Sequence, residues 1–455
     1  MFVGSIMLLV VACSSDDPVE VLAPVETITS VPSRTASPAA PTALTIAPTP
    51  TPTPVEVSAT AQNSEPADIT ETATDATASD DPFTGEWSEA ETEKVWEWAV
   101  GHGWSTDFRF RKVHFTQIEN YNVRDRILPI DNPEFAPASD APEYMNPTEP
   151  VVSLVIDGHA RAYPLAILMW HEIVNDTVGD MPVAVTFCPL CNTAIVFDSR
   201  VDGQRLRFGT TGNLRNSDLI MWDDVTESWW QQITGEAIIG EFVQTDAVLN
   251  MIPAEIVPWE RFANDHPDGE VLVRLFDDEG EPLRSYETPP YGGYANSDRN
   301  PLAYSGKVDR QLLVTSRVLT FTSDDSAIVY PFEFLAENPV INDVVGGESI
   351  VAVFDGTTTS SFEDDDGERS SAGSAAAFSR VVGDRTLSFE ADSNGMVDTE
   401  TGTKWSLSGR GLSGELAGEQ LVQVVHGNHF WFAVALFWPD TEIRDSLDNL
   451  TGGAG

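Results

Sequence analysis

The sequence repeats itself at an offset of 167 residues. The segment from Arg161 reads RAYPLAILMWHEIVNDTVGDMPVAVTF, and the segment from Ile328 reads IVYPFEFLAENPVINDVVGGESIVAVF. Identical residues occur in register, without a gap, at Tyr163/Tyr330, Pro164/Pro331, Leu168/Leu335, Asn175/Asn342, Asp176/Asp343, Gly179/Gly346 and Phe187/Phe354. This register indicates an internal duplication, so the fold that one copy adopts must also suit the other.

The duplication sets the predicted domain plan. Matching tryptophans extend the two halves to residues 150–275 and 316–445, with residues 276–315 as their connection. In the first half, Pro164 is placed to open a short helix that ends at Asn175-Asp176, and alternating β-branched residues then predict strands. The predicted fold class is β-rich α+β, with two homologous pseudo-symmetric halves that follow a disordered amino-terminal stalk.

The amino-terminal residues predict where the protein resides. Residues 1–13 form a short apolar run that resembles a lipoprotein signal peptide, with Cys13 as the acylated residue. Residues 14–85 are rich in Pro, Thr, Ser and acidic residues, so we expect a disordered linker, and residues 86–149 should form a helix and irregular structure. The protein is then expected outside the cytoplasm, touching the membrane only through its lipid anchor. The alternative is a misplaced start codon in front of an ordinary disordered tail.

The net charge of the chain limits the classes of partner that it is expected to bind. It has 25 Lys and Arg against 72 Asp and Glu, a formal net charge of -47. Nucleic acids and anionic membrane surfaces are bound by clustered positive charge, so neither is an expected partner. Hydrophobic residues make up 41% of the chain, which is enough for a large core. We therefore interpret the acidic charge as a solvated surface.

The second half provides an internal control for chemistry. Positions kept in both halves, such as Tyr163 and the Asn175-Asp176 pair, are expected to serve the scaffold, and a turn role suits Asn-Asp. Five reactive side chains occur in the first half alone: Cys188, Cys191, His171, Glu172 and His159. The aligned positions of the second half carry, in the same order, Asp355, Thr358, Asn338, Pro339 and Ser326. Residues that only one copy carries are the candidates for function.

Cys188 and Cys191 are the only cysteines besides Cys13, and they form a Cys-Pro-Leu-Cys motif after an apolar strand. Three interpretations compete. A structural disulfide across so short a loop gains only about 2 kcal/mol from chain entropy. A redox dithiol is favoured by the spacing, which lowers the pKa of one thiol, although the strand-like residues 192–198 argue against a thioredoxin fold. A metal site would use both thiolates with His171 or His159.

His171 is predicted to point toward the cysteines. It shares a helical face with Ile167, Leu168 and Val174 by the three-and-four spacing, so its ring should enter the core that receives the cysteine-bearing strand. There it would act as a general base or thiolate partner. The alternative is a histidine whose hydrogen bonds are simply satisfied within the core.

A segment dense in Arg, Asp and Trp predicts a ligand pocket with polar and aromatic walls. The candidate pocket residues are Arg215, Asp218, Trp222 and Trp230. The alternative is buried tryptophan packed around an ion pair of Arg215 with Asp218 or Asp223. A further pair, His426 and His429, is expected to pack in the core because no acidic or cysteine partner stands beside it.

The segment from Val151 to Trp230 resembles a family of secreted and lipid-anchored prokaryotic proteins, the domain of unknown function 3179. The motifs that carry this resemblance are RAYPLAILMWHEIVND, TFCPLCNTA and SDLIMWDDVTESWWQQ. The resemblance covers most of residues 125–275 and extends more loosely through the second half. Some members of the family are labelled as selenoproteins, and a selenocysteine in the Cys-Pro-Leu-Cys motif would favour redox chemistry. The resemblance thus implies that Cys188 and Cys191 are the functional pair, and it leaves the substrate open.

The leading hypothesis is an envelope-anchored thiol/disulfide oxidoreductase or redox-sensing protein. Cys188 is the expected nucleophile, Cys191 the resolving thiol and His171 the assisting base. The expected partner is an unknown redox protein or a small ligand, and no cofactor is predicted for this function. The alternative is a non-catalytic surface lipoprotein that binds a ligand, zinc or another thiophilic metal through Cys188, Cys191 and His171. A purely structural surface module is the baseline.

Overall fold

Short strands dominate this computed structural model, which describes residues 95, 97–120, 122–295, 297–323, 326–364, 367–393 and 395–451. The strands up to the connection are β1 (Ile118–Asn120), β2 (Phe135–Pro137), β3 (Pro150–Ile156), β4 (His159–Pro164), β5 (Ile173–Val178), β6 (Met181–Cys188), β7 (Thr193–Asp198), β8 (Arg200–Val201), β9 (Gln204–Arg205), β10 (Phe208–Arg215), β11 (Asp218–Asp223), β12 (Trp229–Gln231), β13 (Ala237–Ile239), β14 (Met251–Ile252), β15 (Glu255–Pro258) and β16 (Glu270–Leu272). The strands after the connection are β17 (Arg317–Thr322), β18 (Ala327–Pro331), β19 (Val340–Val345), β20 (Glu348–Asp355), β21 (Ser374–Ser379), β22 (Val381–Val382), β23 (Arg385–Thr386), β24 (Phe389–Asp392), β25 (Gly395–Asp398), β26 (Lys404–Trp405), β27 (Gly411–Ser413), β28 (Gly427–Phe430) and β29 (Glu442–Ile443).

The helices between these strands are short. The α-helices are α1 (Leu165–His171), α2 (Trp259–Asp265), α3 (Phe332–Glu337) and α4 (Trp431–Phe437), and residues 97–101 are also helical. Single 3-10 turns occupy Phe115–Gln117, Ala138–Asp140, Pro189–Cys191, Glu241–Thr245 and Leu447–Asn449. The predicted β-rich α+β fold class is therefore confirmed.

The predictions for the amino terminus lie outside the described residues. These are the signal peptide at 1–13 with Cys13, the linker at 14–85 and the first part of the segment 86–149. The lipid anchor and the envelope location stay predictions. Within the described part of the chain, no helix is both long enough and apolar enough to cross a membrane.

The first half is built on three sheets. Their strand orders are β15-β3-β4-β16-β2, β14-β7-β6-β5 and β1-β10-β11-β12-β13. Neighbouring strands pair antiparallel except β4 and β16, which are parallel. Strand β6 lies between β5 and β7 and ends at Cys188, so the sequence motif sits at the end of an interior strand.

The same local element order occurs in the second half. A hairpin, a short helix and a second hairpin follow one another as β3-β4-α1-β5-β6 and again as β17-β18-α3-β19-β20. A buried hydrogen bond also recurs, from the Tyr163 hydroxyl to Asp176 at 2.7 Å and from the Tyr330 hydroxyl to Asp343 at 2.6 Å. These recurrences agree with the sequence repeat, while the pseudo-symmetry of whole halves stays a prediction.

Helix α1 is shorter than the sequence indicated. It begins at Leu165, after Pro164 as the last residue of β4, and it ends at His171 rather than at Asn175-Asp176. Glu172 stops it with a left-handed backbone (φ 58°) while its N–H donates to the Leu168 carbonyl, and β-branched residues then start β5. The Asn-Asp pair lies within β5, so its predicted turn role is wrong.

The largest apolar cluster draws on both halves and on the connection. It contains Leu168 and Phe187 from the first half, Tyr286 from the connection, and Val318 and Trp431 from the second half. Residues 276–315 contain none of the helices or strands above, yet they pack against this cluster. The connection thereby covers one end of sheet β14-β7-β6-β5, where the cysteines lie.

Candidate functional site

The Cys-Pro-Leu-Cys motif forms a tight turn between two interior strands. Strand β6 ends at Cys188, the 3-10 turn Pro189–Cys191 follows, and β7 begins at Thr193 after Asn192 adopts a left-handed backbone (φ 50°). Because a strand and not a helix follows the motif, the expectation of a fold other than thioredoxin is confirmed. Both thiols are free and buried.

Asp218 joins the two thiols. The turn between β10 and β11 places Asn216 and Ser217 in left-handed conformations, as a tight hairpin turn requires, and brings the following Asp218 toward the motif. The Ser217 carbonyl accepts from Cys188 Sγ at 3.8 Å and from Cys191 Sγ at 3.3 Å. The two sulfur atoms and a carboxylate oxygen of Asp218 all lie within 4.8 Å of one another.

The carboxylate of Asp218 is held by neutral donors. Its Oδ2 accepts from Gln231 Nε2 at 2.7 Å and from the Ile233 N–H at 3.0 Å. Its Oδ1 is buried and has no hydrogen-bond partner among the described residues. No Lys, Arg or His of the described chain forms an ion pair with this carboxylate. The cluster therefore gathers acidic groups without a directly paired cation, and Gln231, which donates to Asp218, itself accepts from Arg215 Nη1 at 3.4 Å.

Burial and the repulsion between nearby acidic groups raise the pKa values of the ionisable side chains in this site. Burial raises the pKa of the Cys188 thiol, and the nearby Asp218 and Glu172 add to this rise. Burial also raises the pKa of Cys191 well above its usual value. Burial raises the pKa of Asp218 to about 6 and, together with Asp218, that of Glu172 to about 8. At pH 7 both thiols and most of Glu172 are neutral, while most of Asp218 is ionised.

A cavity of about 330 Å³ adjoins the motif. Its walls include Cys188, Glu172, Tyr291 from the connection and, at the rim, the exposed Arg126. Cys191 is not among the wall residues, so Cys188 is the thiol that a molecule in the cavity would meet first.

Left-handed residues other than glycine surround this cavity. Glu172 (φ 58°) and Ala303 (φ 59°) form part of its wall, and Asn192 (φ 50°) and Ser217 (φ 67°) flank the thiols. The Ser217 hydroxyl also donates to the Leu302 carbonyl, which ties the β10–β11 turn to the connection. Strained backbone of this kind collects at functional sites, where surrounding structure holds it in place.

The structure does not place His171 with the thiols. Its Nδ1 lies 2.7 Å from the Leu128 carbonyl and its Nε2 lies 2.8 Å from the Tyr286 hydroxyl. Burial lowers the pKa of His171, so the ring is neutral. Both ring nitrogens have a hydrogen-bond partner. The geometry thus favours the alternative of a satisfied core histidine that holds the connection to α1.

Only one of the four predicted pocket residues belongs to the cluster. Asp218 lies beside the thiols, as described above. Arg215 donates to Gln117 Oε1 at 3.1 Å and to Gln231 Oε1 at 3.4 Å, and it covers the ring of Phe437. The remaining two indoles donate to carboxylates away from the cavity, Trp222 to Asp125 and Trp230 to Asp223. These three side chains support the sheet rather than line the cavity.

Two wall residues were not assigned to the site from the sequence. Glu172 was among the candidates for function, because the second half has Pro339 at that position, but it was given no role beside the cysteines. No sequence signal pointed to Tyr291, because it lies in the connection, which has no counterpart in the repeat. Its pKa is raised by burial and by the acidic groups of Glu172 and Cys188, which places its hydroxyl in the same electrostatic environment.

A comparison with models of protein families shows which family the chain belongs to. The family model described as "Protein of unknown function (DUF3179)" matches residues 124–441, which include both halves, the connection and the whole cysteine site. The chain belongs to this family. The family resemblance inferred from the sequence motifs is thereby confirmed. No curated protein and no solved structure matches the chain.

Proposed function

We propose that this DUF3179 protein is a dithiol/disulfide redox protein whose substrate is a small disulfide that enters the cavity. The observation that carries the proposal is the pair of free thiols that share the Ser217 carbonyl, with Cys188 alone in the cavity wall. A Cys-x-x-Cys pair at this separation can alternate between dithiol and disulfide.

The first step transfers one sulfur of the substrate to the protein. The Asp218 carboxylate takes the proton of Cys188, and the resulting thiolate attacks one sulfur of the small disulfide. A bond forms between Cys188 Sγ and that sulfur while the substrate S–S bond breaks. The leaving thiolate receives the proton of the neutral Glu172 and departs as a thiol.

The second step closes the protein disulfide. Cys191 gives its proton to the Glu172 carboxylate and attacks Cys188 Sγ, which releases the other half of the substrate. That thiolate takes the proton held by Asp218. In sum, one protein dithiol and one small disulfide become one protein disulfide and two small thiols, and both carboxyl groups return to their starting states.

Burial decides the size of the substrate. Cys188 is 1% exposed and Cys191 is fully buried, so a disulfide on a folded protein surface has no path to either sulfur atom. A cavity of about 330 Å³ admits a small molecule. The proposed substrate class is therefore a low-molecular-weight disulfide rather than a protein.

Variants of the two cysteines test this proposal. With bis(2-hydroxyethyl) disulfide as the probe, Cys188→Ser should abolish thiol release. Cys191→Ser should instead stop after the first step, with a mixed disulfide on Cys188 that peptide mass mapping detects. His171→Asn is the matched control, since it introduces the residue of the second half at a side chain that does not contact the thiols. Continued thiol release by Cys188→Ser would refute the proposal.

A second candidate function is binding of a thiophilic metal such as zinc. It is favoured by the three ligand atoms of Cys188, Cys191 and Asp218, which lie within 4.8 Å of one another in a buried acidic cluster. Asp218 here takes the place that the sequence hypothesis gave to His171. Metal analysis of protein purified without chelator separates the two functions. Stoichiometric zinc that is lost in Asp218→Ala and kept in His171→Ala would favour metal binding over redox exchange.

A further inference from the structure

A second, smaller cavity lies where the two halves meet. Its volume is about 30 Å³, and its walls come from β7 and the residues around β14 on one side and from β17 and the start of β28 on the other. The walls include Ala254, Thr320, His426 and His429, and none of its residues lines the cavity at the cysteines. It is thus separate from the redox site.

Three polar atoms in this cavity wall lack a partner. His426 Nε2, His429 Nδ1 and Thr320 Oγ1 are buried, and none of them makes a hydrogen bond within the described chain. The side chains of His429 and Thr320 belong to residues only 3% and 1% exposed. Buried polar atoms are nearly always satisfied. Three unsatisfied atoms in one small cavity therefore indicate a bound species that holds them together.

The hydrogen bonds of His426 fix which nitrogen can bind. Its Nδ1 lies 2.8 Å from the Val424 carbonyl, which can only accept, so Nδ1 carries the proton and Nε2 presents a lone pair. Ligating histidines are usually oriented by such a bond from their other nitrogen to a carbonyl.

The repeat shows that both imidazoles are additions to the scaffold. The match of Trp259 with Trp431 aligns β15 with β28, and this places Ala254 and Val257 at the positions of His426 and His429. One copy therefore builds the same strand without histidine. The imidazoles are not needed to form this strand, which favours a role in binding.

We infer that the cavity binds one divalent transition-metal ion of the zinc or copper class through His426 Nε2 and His429 Nδ1. Thr320 Oγ1 and water would complete the shell. Neutral imidazole is a preferred ligand of these ions, and the volume exceeds the roughly 10–15 Å³ that one water-sized body needs. The net charge of -47 also raises the local concentration of cations.

Copper(II) binding tests the inference in a Cys188→Ser, Cys191→Ser background, which removes the thiols. One equivalent of Cu²⁺ should bind, with nitrogen hyperfine coupling from two imidazoles in the electron paramagnetic resonance spectrum. His426→Ala and His429→Val introduce the residues of the other half, and each should weaken binding by more than the ~10–100-fold that outer-shell changes cause. His159→Ala is the matched control on an exposed histidine and should bind as before.

The opposite results would overturn the inference. A two-nitrogen signal that persists in both His426→Ala and His429→Val would place the metal elsewhere. The absence of stoichiometric Cu²⁺ in the background protein would leave a buried water as the occupant. If either variant fails to fold, X-ray absorption of the zinc-loaded background protein decides the matter, and fewer than two imidazole ligands would contradict the proposed site.

Discussion

Glu172 combines an unusual backbone with an unusual proton affinity. Its left-handed conformation ends α1 and turns the side chain into the cavity beside Cys188. The carboxyl is buried, forms no ion pair among the described residues, and has a pKa near 8. At neutral pH it is therefore a proton donor next to a thiol, which is the role that the proposed first step requires.

Glu172 should make stability depend on pH. Between about pH 4.5 and 8 the folded protein keeps a proton that the unfolded chain has lost, so the free energy of unfolding falls as pH rises through this window. The slope for one group is up to about 1.4 kcal/mol per pH unit. Glu172→Gln should reduce this slope, as measured by urea unfolding at several pH values.

Glu270→Gln is the matched control for the pH experiment. This carboxylate is about half exposed, is paired with Arg161 and does not line the cavity, so its substitution removes a carboxyl group without altering the surroundings of Cys188. An unchanged slope in Glu172→Gln itself would show that Glu172 is ionised in the folded protein. It would then be unable to donate the proton in the proposed reaction.

Sequence reasoning selected the two cysteines, but the structure gives them neighbours other than the expected His171. The Cys-Pro-Leu-Cys motif and the duplicated half were sufficient to select Cys188 and Cys191. The helical spacing then favoured His171, because it assumed that the helix continued to Val174. Since the helix ends at His171 and the next residue, Glu172, has a positive φ, the side chain of Glu172 reaches the cavity instead. Periodicity does not reveal such a reversal.

A turn after β11 recurs after β25 with the same hydrogen bonds. Asp223 accepts from the Trp230 indole at 2.9 Å and from the Thr226 N–H at 2.7 Å. Asp398 likewise accepts from the Trp405 indole at 2.8 Å, and the Thr401 N–H donates to its other oxygen. Each carboxylate thus joins a buried tryptophan to the turn that precedes it.

Removing either carboxylate should destabilise the protein to a similar extent. Asp223→Ala and Asp398→Ala each leave a buried indole N–H and turn amides without an acceptor, at an expected cost of about 2–4 kcal/mol in the free energy of unfolding. Denaturant unfolding measures this cost. Asp224→Ala is the control, because this neighbouring carboxylate is exposed and, among the described residues, accepts only from the Arg207 backbone N–H. Losses below roughly 0.5 kcal/mol for both turn variants, which is the scale of surface substitutions, would contradict the prediction.

The existence of most elements could be predicted, but several of their ends could not. Alternating apolar residues identified β6 and β7 around the cysteines, and the repeat identified α1 and α3. The Asn175-Asp176 pair had the composition of a turn, yet it lies inside β5. There Asn175 bonds the Phe208 backbone and Asp176 bonds Tyr163. These tertiary partners satisfy side chains that would otherwise favour a turn.

The two halves should unfold together. The largest apolar cluster contains residues of both halves, and Phe430 of β28 lies against Tyr294 of the connection, whose hydroxyl donates to the Leu190 carbonyl in the cysteine motif. Phe430→Ala in the second half should therefore weaken the first half as well, by about 3–5 kcal/mol. Far-ultraviolet circular dichroism and tryptophan fluorescence should shift together as one transition.

Independent halves would give a different result. Two separate transitions, of which Phe430→Ala moves only one, would contradict a shared core. Cys191, which is fully buried and does not line the cavity, offers a third probe in a Cys188→Ser background, since its alkylation under native conditions should accelerate in the Phe430→Ala variant if the site opens only when the whole core does. A site that stays protected while the second half unfolds would show that the halves are independent.

The connection was the least predictable part of the molecule. Its Gly- and Pro-rich composition indicated a simple link between halves. In the structure it contributes Tyr286 to His171, Tyr291 to the cavity and Tyr294 to the cysteine turn. Irregular segments have no periodicity, so their positions depend on tertiary contacts that a single sequence does not display.

Because both thiols keep their protons at neutral pH, the midpoint potential of the dithiol/disulfide pair should depend on pH. In the proposed redox function, closing the disulfide between Cys188 and Cys191 releases two protons with two electrons, because the pKa values of both thiols are raised. A tenfold change in the equilibrium constant of a two-electron couple corresponds to about 30 mV. One pH unit changes the proton concentration tenfold for each of the two protons, so the midpoint potential shifts by about 59 mV per pH unit. The centre would therefore be a stronger oxidant in acid surroundings and a stronger reductant in alkaline ones.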